Sequence, residues 1–197
     1  MFKKLALFLP LLLALQACEH PGPPTPQVEP NFTRYQPIYL DVGSIDIVQD
    51  YESPMKPPNV EHLIPYSPDD MMHIWIKDRL RSVGTEKTLQ ISVKDASVIS
   101  TLLKQPDGVL PSLNNSNRYD ARLEVEMRIY GTSDVMSLAS IDVTATASTT
   151  IAAKASLAER KAIFNKMMFD LMEHMNAELE KNIYRYFGSY INYSRGV

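Results

Sequence analysis

The sequence predicts an α+β domain: a four-stranded, mostly antiparallel sheet with two helices on one face, in the order β-α-β-β-β-α. Three observations predict it. Tyr119, Ala121, Leu123, Val125, Met127 and Ile129 alternate with Asp120, Arg122, Glu124, Glu126 and Arg128, the period-2 signature of a strand with one buried and one solvated face. Two segments open on strong helix N-terminal signals, Ser67-Pro68-Asp69-Asp70 and Ser156-Leu157-Ala158-Glu159. Behind the second, Phe164, Met168, Leu171, Met172, Met175, Leu179, Ile183 and Tyr186 recur at helical spacing.

The elements follow in order. Residues 38–48 are rich in β-branched side chains and read as the first strand. Residues 49–66 carry Pro54, Pro57, Pro58 and Pro65 and read as a long irregular connection, a kind of segment that is often functional. A helix is expected from Ser67 to Val83, stopping at Gly84, with Met72, Trp75, Ile76, Leu80 and Val83 buried and Lys77, Arg79 and Arg81 off that stripe. Leu89, Ile91 and Val93 mark a second strand continuing toward Ile99; the first β-α-β would form a crossover. After a turn-rich loop at 104–118 comes the strand at 119–129. Gly131–Asp134 is a hairpin turn, and a strand from Val135 to Ile151 has an outer face of Ser and Thr. The last helix should reach about Phe187.

The N-terminus sets the compartment. Lys3 and Lys4 precede an apolar stretch, Leu5–Leu15, which is too short to span a bilayer that needs about 20 helical residues. Leu15-Gln16-Ala17-Cys18 resembles the lipobox of bacterial lipoproteins, in which a peptidase cuts before a diacylglycerylated cysteine. The resemblance implies a signal peptide at 1–17 and acyl chains on Cys18, the only cysteine in the chain. Glu19, in place of the Asp that retains some lipoproteins at the inner membrane, implies the periplasmic face of an outer membrane. Residues 18–37 hold six prolines and read as a tether of at most ~60 Å at about 3.1 Å per residue. That leaves 38–197 as one α/β periplasmic domain.

The formal charge of −3, lowered to −5 once Lys3 and Lys4 leave, provides no footprint for nucleic acid and no general attraction to anionic lipid. The lipid would do the anchoring. His20, His62, His73 and His174 form no metal motif; Asp170 and His174 sit four apart on the last helix, as do Asp69 and His73 on the first, and both pairs read as surface polar contacts. No nucleophile elbow, phosphate loop or dinucleotide fingerprint appears, so no catalytic residue, metal or cofactor is implied and the protein reads as non-enzymatic. The methionines of the last helix read as core packing or as an adaptable apolar face. Tyr184, Phe187 and Tyr190 are candidate partner contacts, with closure over a sheet edge as the other reading.

The lipobox, the tether and the element order together resemble the auxiliary lipoproteins of ABC-type transport systems, with Arg118-Tyr119-Asp120 and Asp78-Arg79-Leu80 as the local matches. The resemblance implies an accessory role in lipid transport between envelope membranes beside an ABC transport system. Similar α/β plans occur in the lipoprotein that plugs the lipopolysaccharide-exporting barrel and in activators of peptidoglycan synthases; an unrecognised hydrolase is the remaining alternative.

Overall fold

The computed structural model describes residues 29–103, 116–133 and 135–195. Among these residues seven strands and two main helices form an α+β domain: β1 (Ile38–Leu40), β2 (Ser44–Gln49), α1 (Pro68–Arg79), β3 (Leu80–Ser82), β4 (Thr88–Asp95), β5 (Val98–Leu103), β6 (Ser116–Tyr130), β7 (Ala139–Ala152) and α2 (Leu157–Tyr186). The 15-residue β6 is the spine of the main sheet. On one side it pairs antiparallel with β7 along nearly its whole length; on the other it pairs with β4 and then β5, laid end to end. β2 completes the sheet, parallel to β4, and α1 supplies the crossover that a parallel pair requires.

β4 and β5 are one predicted strand broken by a bulge. The register with β6 shifts by one residue between Val93 and Asp95. Because side chains alternate with period 2, that extra residue swaps the faces: Leu89, Ile91 and Val93 point inward before it, Val98 after it. Rows such as Ile91–Met127–Ile141 and Val93–Val125–Val143 then run straight across the sheet beneath the helices. The solvated face of β6 lies opposite, as its sequence predicts. There Lys94 pairs with Asp50 and Glu126, and Arg122 pairs with Asp95 and Glu124.

Both helices open with complete capping boxes, Ser67 with Asp70 and Ser156 with Glu159. α2 lies over β7 and β6, with the Phe164 ring edge-on to Tyr119 at 4.9 Å. Met167, Met168, Met172 and Met175 are all buried, so these methionines are core. Trp75 of α1 donates through Nε1 to Asn176 Oδ1 of α2 at 2.8 Å, which satisfies two buried polar groups in the helix–helix contact.

The main sheet has five strands rather than the expected four, beside a separate β1–β3 pair, and four further expectations are corrected. The strand at 38–48 divides at Asp41–Gly43, and its first piece leaves the main sheet to pair parallel with β3. The first helix ends at Arg79, because Leu80 turns extended and pairs with Ile38. Gly84 is therefore no helix cap. A Cβ there would lie 2.6–2.7 Å from Asp41 and Val42 atoms, so the glycine permits a close backbone crossing. Finally, the last strand does not start at Val135: that residue is 96% exposed, and β7 begins only at Ala139.

Candidate functional site

The three predicted contact residues separate. Tyr184 is 47% exposed, whereas Phe187 is 0% exposed and belongs to the core. Tyr190 is half-buried: its backbone carbonyl accepts from Asp41 N–H at 2.7 Å. After α2 the chain turns at Phe187–Gly188 and lays Ile191 against Leu40, with Asn192 N–H donating to the Tyr39 carbonyl at 2.8 Å. The aromatics thus close over the free side of β1, and Phe187 is withdrawn as a contact. Tyr186 and Tyr193, at the same end, are exposed. Cys18 and most of the loop at 104–118 lie outside the described residues.

The expected tether packs in part on the domain. Phe32, inside the proline-rich segment, is fully buried, and its N–H donates to Asp78 Oδ2 at 2.8 Å. Tyr35 donates through its hydroxyl to Glu173 Oε2 of α2 at 2.6 Å. Arg79 holds this seam together. Its side chain is buried, it donates to the Gln36 carbonyl at 2.5 Å and to Glu180 Oε2 at 2.7 Å, and its guanidinium sits 5.0 Å from the Tyr35 ring centroid. Arg79 was expected off the buried stripe; it lies on it, at position i+4 from Trp75 and i+7 from Met72.

The proline-rich connection between β2 and α1 is pinned by Glu61. This carboxylate is buried and accepts from Tyr51 Oη at 2.7 Å, Ser53 Oγ at 2.6 Å and Val98 N–H at 3.2 Å. Burial alone would raise its pKa; the donors from Ser53, its own backbone, Tyr51 and Val98 outweigh burial and hold it below the ordinary carboxyl value. The Tyr51 phenol is pushed up, first by burial and then by Glu61. The segment so held covers the free edge of β5, with Val60 N–H donating to Val98 and Ser100 N–H to Pro58. An open cavity of about 230 Å³ lies beside it, lined by residues including Met55, His62, Asp69 and Asp70.

His62, His73 and His174 stay as surface groups, and His20 lies outside the described residues. His73 Nε2 is 3.8 Å from Asp69 Oδ1, and Asp170 pairs with Lys166 at 2.6 Å rather than with His174. Among the described residues no group of three or more His, Cys, Asp or Glu is placed to hold a metal ion, and no helix is long and apolar enough to cross a membrane.

The roles of Phe32, Glu61 and Arg79 were not among the expectations from sequence. Helical spacing already marks Arg79; a large aromatic among prolines marks Phe32; nothing local marks Glu61, whose partners are Tyr51 and Ser53 earlier in the same connection and Val98 of β5.

No protein-family model and no curated protein matches the chain. Among solved structures it is similar to a protein of Xanthomonas campestris assigned to the family DUF330, at 11% identity over 75% of this chain and 91% of that one, with a TM-score of 0.31.

Proposed function

We propose that the protein is a lipid-anchored, non-enzymatic envelope lipoprotein of the outer membrane's periplasmic face, acting as a binding partner in lipid transport between membranes. The observation that carries the reading is the single cysteine at position 18, set directly behind Leu15-Gln16-Ala17 at the end of a short cationic and apolar leader. Several acyl chains there, at roughly 0.8 kcal/mol per buried methylene, make attachment durable. Three of the folded domain's buried polar groups, Glu61, Arg79 and Asn176, join one segment to another, which supports reading them as structural groups.

In-cell crosslinking followed by affinity purification tests the proposal, with Cys18→Ser as control. Recovery of an ABC transporter or its lipid-binding component, lost in the control, is the expected result. Recovery of an outer-membrane barrel instead would move the protein to barrel or lipopolysaccharide assembly. A full-length chain whose mass carries no acyl groups would remove the lipoprotein reading altogether.

A further inference from the structure

The strands place several exposed apolar side chains at one end of the domain. Leu102 and Leu103 close β5; Leu103 sits opposite Ser116 at the start of β6, which sits opposite Ala152 at the end of β7. Five residues after Ala152, Leu157 opens α2 and is 71% exposed. One helical turn further on, Lys161 lines an open cavity together with Glu29, Leu63 and Tyr66, and Leu63 is 68% exposed. The chain therefore arrives from its N-terminal leader at the end where these leucines project. Glu29 is eleven residues from Cys18, a span of at most about 40 Å even when extended.

This end also has a local charge that the net value of −5 hides. Lys154 and Lys161 are exposed, and among the described residues neither is paired with a carboxylate. Of the nearby acids, Glu159 is engaged by its Ser156 cap, and Glu29 faces the cavity it shares with Lys161. Arg160 is occupied with the carbonyls of the β7–α2 turn. Exposed leucines beside two lysines that form no ion pair among the described residues match an interface of anionic headgroups over acyl chains.

We propose that this end, with Leu63, Leu157, Lys154 and Lys161, rests on the anionic surface of the bilayer that holds the lipid anchor, so that the opposite end, where β6 finishes and β7 begins, points away from it. The proposal rests on the lipoprotein reading. Val135 and Met136, between those strands and at 96% and 81% exposure, are then turned toward whatever the protein meets across the periplasm.

Because Cys18 would be acylated, an added cysteine is the one free thiol. Leu63→Cys, Leu157→Cys and Val135→Cys, each in the full-length acylated protein, are labelled with an environment-sensitive fluorophore. Each is then reconstituted alone into phosphatidylglycerol-containing vesicles doped with headgroup-region spin-labelled lipid. Labels at 63 and 157 should shift to the blue and be quenched, while the label at 135 keeps its aqueous emission. Lys154→Glu combined with Lys161→Glu should reduce the quenching; quenching undiminished by that change overturns the cationic part of the contact. Acylated protein with unquenched labels at 63 and 157, or equal quenching at all three sites, overturns the orientation while leaving the anchor intact. Absence of acyl mass on Cys18 overturns the anchor itself.

Discussion

Glu61 shows how one buried carboxylate can hold a long irregular segment. It receives the Tyr51 phenol and the Ser53 hydroxyl from its own connection and a backbone N–H from Val98 of β5, and its pKa is depressed below its unfolded value near 4.5. A depressed carboxyl contributes stability that is fully present above its unfolded pKa and is lost as the pH falls through the folded one. Glu61→Gln should therefore cost about 1–3 kcal/mol at neutral pH. It should also flatten the acid limb of stability below pH ~4.5; urea unfolding at pH 7 and pH 4 reads both effects. Arg79 does the same work for the N-terminal segment. Arg79→Ala should cost about 2–3 kcal/mol, the worth of hydrogen bonds to a charged group. It should also expose residues 30–36 to limited proteolysis. Arg79→Lys keeps the charge but loses the planar fork and should recover only part. Of these residues Arg79 was open to reading from the sequence, because its spacing from Met72 and Trp75 is that of a buried stripe. Glu61 was not, since its partners are up to 37 residues away.

At the scale of elements, the C-terminal end of α2 divides into core and surface. Phe187→Ala should cost about 3–5 kcal/mol, as for other buried aromatic truncations. Tyr184→Ala, on the exposed side, should stay within about 0.5 kcal/mol. Thermal unfolding of the two variants compares them directly, and a partner assay on Tyr184→Ala then reports on contact without loss of fold. Truncation after Asn182 removes Ile183, Phe187 and the Ile191 bridge to β1, so it should unfold the domain rather than merely free a partner. The close crossing at Gly84 belongs to this scale too. A methyl group there meets backbone at 2.7 Å, so Gly84→Ala should destabilise by about 1–3 kcal/mol, the range for overpacking. The 119–129 strand and both capping boxes were legible because their signals are local. The division of 38–48 and the early end of α1 were not, because β1 and β3 pair across about 40 residues.

For the whole molecule, the N-terminal segment docks as far back as Phe32, so the free length between Cys18 and the domain is shorter than the proline count alone allows. The proposed anchor then keeps the domain close to its bilayer. Cys18→Ser should move the protein from the membrane fraction to the soluble periplasm, and carbonate-washed fractionation measures that shift. On the proposed anchor, docking of residues 30–36 by Arg79, Asp78 and Glu173 would make the domain's orientation depend on the helices, not on the tether alone.

By itself the sequence determined the fold class, the helix starts and the long alternating strand of the sheet, because each rests on contacts or signals within a few residues. Tertiary structure decided what needs distant partners. It parted β1 from β2 through pairing with β3, and it swapped faces at the bulge before β5. It also drew Phe32 and Arg79 into one seam, buried Phe187 under the returning chain, and gathered Leu63, Leu157, Lys154 and Lys161 at one end. The physical reason is that periodicity reports which face of an element is apolar, whereas the choice of neighbour is made by backbone hydrogen bonds and packing between segments far apart in the chain.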